Sequence, residues 1–418
     1  MRSCLSLMFW LAAVVGVPAV AVESGFGSLH ALMASRGVNS VEALIAALPV
    51  DLRTHYALVF ASRSLQGASF TNPRAILFGS DAQLVVTFNG DSAQRGYASV
   101  ETMAFNHRDN TFELREILFR ERAPPVISEA NPARCLGCHG RPAGPIWDAP
   151  PTWPGVYGER YLAGLSAIER RGIRSFLALQ ADHARYRSLV NARAFAERET
   201  YVTSAQALYN NARTEPPNAQ LSSLLTGQKI RSIMSTLSAS PAFSAHRFAL
   251  LAATQESCGP LADFYPAAVR AAVASGLQSF TRQSAATEQL QAHAKSERLL
   301  APNRGNFREM AAPDLSKVRY VVEFGLEIPT QNWTLALETK SHALAAPEGA
   351  YTLEQALIEA VAQNDESLRD LLALRAPGGD DRFCEQLRRQ SVRALETWYA
   401  AQPTASADRA SVRRWRAL

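Results

Sequence analysis

The sequence predicts an α+β protein: an N-terminal antiparallel β module, a proline-rich connecting segment and a mainly α-helical body. Three observations carry this reading. Short runs of β-branched and aromatic residues, separated by turn signals, fill the first third of the chain. Pro124, Pro125 and Pro132 then deny the backbone a long helix. Beyond residue 159, apolar residues recur at helical spacing.

A short helix over residues 41–48 precedes five expected strands. Tyr56-Ala57-Leu58-Val59-Phe60 is a compact β-forming run, and Ala75-Ile76-Leu77-Phe78 follows Asn72-Pro73. Gly79-Ser80-Asp81 turns into Leu84-Val85-Val86-Thr87-Phe88, which Asn89-Gly90 breaks. Residues 98–105 and 111–119 flank His107-Arg108-Asp109-Asn110, a good hairpin loop. Pro124-Pro125 is expected to close this module, giving it the bounds 22–123. Helical periodicity then runs from 159 to about 299, in Tyr161-Leu162-x-x-Leu165, Ile173-x-x-Phe176-Leu177, Leu221-x-x-Leu224-Leu225 and Ile230-x-x-Met234-x-x-Leu237. Pro241 suits the first turn of a further helix towards Cys258, and Gly259-Pro260 punctuates it. Residues 318–328 read as a strand that could join the N-terminal sheet. Helices return over 353–374 and 383–399. The resulting regions are 22–123, 124–160, 161–310 and 311–418, the last a short strand plus C-terminal helices.

The chain has 418 residues, 47% hydrophobic and 19% charged, which describes a protein with a real core rather than a disordered one. Its formal net charge is +5, and its basic residues are spread along the chain. The modest cluster Arg409, Arg413, Arg414 and Arg416 reads as a solvated helix face, so no nucleic-acid partner is expected. There is no G-x-S-x-G, no H-E-x-x-H, no Gly-rich phosphate loop and no EF-hand, which removes the common hydrolase, zinc protease, nucleotide and calcium chemistries.

Met1 and Arg2, an apolar run over 5–17 and Pro18-Ala19-Val20-Ala21 resemble a charged n-region, an h-region and a cleavage site. Residues 1–21 are thus expected to be a signal peptide, with an uncleaved signal anchor as the alternative. The mature protein is expected to be periplasmic or secreted. No later stretch approaches the length of a spanning helix, so no membrane span is expected after signal removal.

The most specific chemical statement is Cys135-Leu136-Gly137-Cys138-His139, a C-x-x-C-H sequence. Two thiols three positions apart on one turn can both bond to haem vinyl groups, and the next imidazole can serve as proximal iron ligand. Two rivals are weaker. A redox dithiol usually opens a long helix, whereas this motif runs into Gly140-Arg141-Pro142-Ala143-Gly144-Pro145. A zinc site needs a second ligand pair, but there is no other C-x-x-C, and the eight histidines include no H-x-x-x-H. Residues 124–160 are accordingly expected to be a haem c attachment loop holding one covalent haem, with His139 as axial ligand.

The loop resembles that of c-type cytochromes, but the likeness to class I cytochromes c stops there. No long helix precedes the motif, and the first downstream methionine is the distant Met234. The run CHGRPAGPIWD…WPGVYG, with the earlier RSLQ and NPRAILFG, is similar to a group of exported single-haem bacterial proteins over most of the mature chain. That resemblance implies a c-type cytochrome domain and says little about the reaction. Trp147, Trp153 and Tyr157 are candidates for the haem wall, and Arg141 or Arg134 for a propionate partner. The alternative is that these aromatics pin the loop to the core. Met103, His107, His183, Met234 and His246 are candidates for the sixth iron position.

Of the five cysteines, Cys4 leaves with the signal and two go to haem, which leaves Cys258 and Cys384. In an oxidising compartment they are expected to form a disulfide, with two buried free thiols as the alternative. The function expected is electron transfer to or from a redox partner protein. The same residues with an open sixth position would suit a peroxidase-like enzyme or a redox or gas sensor. A structural or binding protein with a C-x-x-C disulfide is the third reading.

Overall fold

Six strands, β1 (Tyr56–Val59), β2 (Arg74–Leu77), β3 (Leu84–Phe88), β4 (Ser99–Asn106), β5 (Thr111–Arg120) and β6 (Ala123–Ile127), form an antiparallel meander in chain order. This computed structural model describes residues 25–62, 64–145, 155–157, 166–192, 217–255, 258–299, 316–330, 353–362 and 381–401. The expected signal peptide and the helical pattern over 161–165 lie outside them. The sheet and the mostly helical body that follows make the protein α+β, as the sequence predicts.

The meander follows from local chemistry. At the β4–β5 hairpin, the Asn106 side chain accepts from the Arg108 N–H at 2.9 Å, and Asp109 accepts from the Thr111 hydroxyl at 2.6 Å. Asn110 takes the left-handed conformation, at φ 56°, that turns the chain. The sixth strand corrects the expectation that Pro124-Pro125 ends the module. A strand at a sheet's border leaves half of its N–H groups unused, so prolines are tolerated there. Ile127 pairs with Ile117 and Ala123 with Arg120, with a register shift between them.

Both faces of the sheet are covered, which is why β1 and β2 are buried at every position and alternate so poorly in polarity. On one face Leu58, Leu77, Val86, Phe88, Val100 and Ile117 pack against the N-terminal helices α1 (Phe26–Arg36), α2 (Val41–Ala47) and α3 (Val50–Thr54). Ser40 caps α2 by accepting from the Ala43 N–H at 3.1 Å. After α4 (Ala133–His139), helix α5 (Ala167–Gln180) adds Ile173 and Phe176 to this face. Its start is a capping box: Glu169 accepts from the Ser166 N–H at 2.8 Å, and Ser166 accepts from the Glu169 N–H.

The opposite face carries Val59, Ile76, Phe78, Val85, Met103, Phe105, Phe112 and Leu114. It is covered by α4, by Ala143 and Val156, and by the first half of α6 (Pro217–Ser238) through Leu221 and Leu225. The second half of α6, with Ile230, Ile233 and Leu237, enters a separate apolar cluster that is the core of the helical body. There α7 (Phe243–Ala253), α8 (Ala267–Leu299), α9 (Ser316–Tyr320), α10 (Leu353–Ala362) and α11 (Asp381–Ala401) meet. Helix α11 presents Phe383, Cys384, Leu387, Ser391 and Leu395, a helical stripe. Cys384 is bridged to Cys258, with Cα atoms 5.1 Å apart and a sequence separation of 126. A closed loop of that size is worth about 5 kcal/mol in chain entropy.

The expected strand over 318–328 is instead helix α9 followed by a π-helical turn, Val321–Gly325. Val318, Val321, Val322, Gly325 and Leu326 are buried at helical spacing, so periodicity outweighs β propensity there. No described helix is long and apolar enough to cross a membrane.

Candidate functional site

Helix α4 exists because its ends are fixed. Asn131, in the left-handed region at φ 54°, exchanges hydrogen bonds with Leu114 of β5: its N–H donates to the Leu114 carbonyl at 2.8 Å, and its side-chain oxygen accepts from the Leu114 N–H at 2.9 Å. Pro132 then precedes the first helical residue, where a missing N–H costs nothing. At the other end Gly140, at φ 78°, stops the helix while its N–H donates to Leu136. The seven helical residues hold Cys135, Cys138 and His139 together, with the cysteines one turn apart.

The loop after the helix closes on itself. The Gly144 N–H donates to the His139 carbonyl at 3.2 Å, and the His139 ring Nδ1 is 2.7 Å from the Gly144 carbonyl. A carbonyl only accepts, so Nδ1 carries the proton and Nε2 the lone pair. Burial holds the His139 pKa below its ordinary value, countered by the Gly144 bond and by Glu101, so the ring is neutral near pH 7. Metal-ligating histidines are commonly oriented in this way, by a backbone carbonyl on the other nitrogen.

Cys135 is half-buried and Cys138 exposed, and neither is bridged. Burial and then the Glu101 carboxylate push the Cys135 thiol up, the reverse of what disulfide exchange requires. Leu136 and Cys135 rest on the sheet-face cluster that includes Met103. Among the described residues, a Cβ added at Gly137 would meet nothing within 4 Å.

Beside this apolar cluster, the same face of the sheet carries charged residues. Glu101 and Glu116 are direct cross-strand partners on β4 and β5, a repulsive placement for two carboxylates. Arg74 of β2 neutralises Glu101 with a bond of 2.6 Å, and also donates to Gln66 at 2.9 Å and Thr87 at 3.0 Å. Arg134 of α4 forms an ion pair with Glu116, fastening the helix to the sheet.

Thus Cys135, Cys138 and His139 are brought together, and Arg141 lies exposed just beyond them. Trp147 and Trp153 lie outside the described residues. Tyr157 corrects the expectation of a haem-wall residue. Residues 155–157 pair with β1: Phe60 donates to the Gly155 carbonyl at 2.7 Å, and Tyr157 donates to Leu58 at 2.9 Å. Strand alternation sends Val156 to the α4 side and Tyr157 to the opposite core, where its hydroxyl donates to the Phe70 carbonyl at 2.7 Å. Arg134 likewise is taken up by Glu116.

Of the five sixth-ligand candidates, Met103 alone shares a cluster with Cys135. His107 is exposed on the hairpin, with its ring edge-on to Phe105. Both His183 nitrogens are engaged, one at 2.9 Å from the Gly90 carbonyl and the other accepting from the Arg185 N–H at 3.2 Å. Met234 and His246 belong to the helical cluster. Among the described residues no group of three or more His, Cys, Asp or Glu is disposed to hold a metal ion.

Sequence reasoning missed Arg74, Glu101, Glu116, Gly144 and Lys229. Arg74 and Gly144 lie inside the quoted runs NPRAILFG and CHGRPAGPIWD without being singled out there, and for Glu101, Glu116 and Lys229 the one signal was a charge inside an otherwise apolar strand or helix pattern. No protein-family model, curated protein or solved structure matches the chain.

Proposed function

We propose that this chain is an exported c-type haem protein in which Cys135 and Cys138 form the thioethers and His139 is an axial iron ligand, and that its role is electron transfer with a redox partner protein. One observation carries this reading: two unbridged thiols share a helix turn with a neutral imidazole whose Nδ1–H is already committed to Gly144. The residues present therefore fit haem c by donor type and by orientation. Haem c bound there supplies a one-electron iron couple. The chain's own part is to fix the imidazole through Gly144, to fasten the helix through Arg134 and Glu116, and to exclude water beneath it with the Met103 and Leu136 cluster. Export is supported by the Cys258–Cys384 bridge, which suits an oxidising compartment, and by the signal-like residues 1–21.

Protein matured in a host with haem-ligation machinery is expected to give a c-type pyridine haemochrome and a mass increased by one haem. Colourless protein whose two thiols are free or bridged to each other overturns the reading. His139→Ala is expected to displace the absorption bands of any attached porphyrin, and unchanged bands would remove His139 from the iron. A low-spin, six-coordinate spectrum supports electron transfer. A high-spin form that binds carbon monoxide readily would move the assignment to catalysis or sensing.

A further inference from the structure

Lys229 of α6 is only 3% exposed, and among the described residues its ammonium has neither a hydrogen-bond acceptor nor a carboxylate partner. It lies against the backbone of Gly144: a Cβ added there would stand 2.6 Å from Nζ. A side chain at position 144 would require the end of the lysine to move. Gly144 is also the residue whose carbonyl accepts the His139 Nδ1–H. Among the described residues, a cation without a counterion thus stands against the residue that orients the His139 imidazole.

Such a cation is costly to the fold. Burial lowers its pKa to about 8, which still leaves it mostly charged at neutral pH. A hydrophobic residue of similar length would fill the same space without the desolvation cost, and replacing buried charge by apolar side chains is often stabilising. The neighbouring Gln228 already ties α6 to the sheet by donating to the Asp81 carbonyl at 3.0 Å, so Lys229 is not needed for that contact.

We propose that Lys229 sets the reduction potential of the iron held by His139, raising it by favouring the ferrous form. The inference rests on the haem reading above. Two effects act in the same direction. A fixed positive charge in a low-dielectric surrounding disfavours the more positive ferric state. The same charge draws electron density from the Gly144 carbonyl, weakening it as an acceptor and making the imidazole a poorer donor to ferric iron.

The test is an equilibrium redox titration of the full haem-loaded chain as wild type, Lys229→Met, Lys229→Gln and Lys229→Arg. At the wild-type midpoint, the neutral variants are expected to raise the ferric-to-ferrous ratio about tenfold, equivalent to about 59 mV for a one-electron couple. Lys229→Arg, which keeps the charge, is expected to stay near wild type. Lys229→Gln serves should Lys229→Met fail to mature. Haem-free Lys229→Met is expected to melt above wild type. A neutral variant with the wild-type midpoint, or a lower melting temperature for haem-free Lys229→Met, overturns this inference alone. Wild-type protein that takes up no haem overturns the haem reading and this inference with it.

Discussion

Glu101 shows how much a single position near the motif depends on a distant residue. It faces Glu116 across the β4–β5 ladder and is held by Arg74, which is 27 residues away in sequence. Burial lowers the Arg74 pKa and the Glu101 carboxylate counters that, so the guanidinium and the carboxylate need each other. Arg74→Met is expected to cost about 3–5 kcal/mol in denaturant unfolding, because it strands a carboxylate. Adding Glu101→Leu should recover most of that loss; a double variant as unstable as the single one would show that the pair is not the cause. Little of this was legible beforehand. Cys135, Cys138 and His139 announce themselves by spacing, whereas Arg74, Glu101 and Lys229 are single charges whose partners only folding supplies. Tyr157 was misread because its face depends on strand alternation at residues 155–157, and nothing in a proline- and tryptophan-rich stretch signals that pairing.

The elements divide along physical lines. Strands β1 to β5 were legible because turn residues bracket short apolar runs, and α2, α5, α7 and α11 because apolar positions recur at helical spacing. Strand β6 was missed because prolines argue against a strand except at a border, and border position is a property of the sheet. The turn Val321–Gly325 was missed because valines and aromatics invite a strand while their spacing is helical. The end of the α4 segment makes an element-scale prediction. Gly155 adopts φ 84°, and a Cβ there would stand 2.5 Å from the Ala61 carbonyl. Gly155→Ala is expected to cost about 1–3 kcal/mol locally and to speed hydrogen exchange at the Phe60 and Tyr157 amides, leaving α7 protected. Uniform acceleration throughout would mean that the segment unfolds with the whole protein.

At the scale of the molecule, a sheet core and a helical core are joined through α6, and acid acts on both. His246 lies 1% exposed in the helical core, its Nδ1 3.2 Å from the Ala242 carbonyl, and burial lowers its pKa to about 4. Above its ordinary value of 6.5 the ring is neutral folded or unfolded. Below it, the unfolded chain binds a proton that the folded chain refuses. Stability contributed by the neutral ring is therefore lost as pH falls from about 6.5 to about 4, roughly 3 kcal/mol in all. His139 and His183 shift in the same direction. Unfolding measured across this window should show the slope, and His246→Gln should flatten part of it; an unchanged slope would place the acid sensitivity elsewhere. The borders of the sheet carry one more consequence. Two of the five residues of β6 are prolines, and residues 155–157 lie along β1. A further strand would find main-chain rungs missing on one flank and already taken on the other, so both borders are guarded against strand-to-strand aggregation.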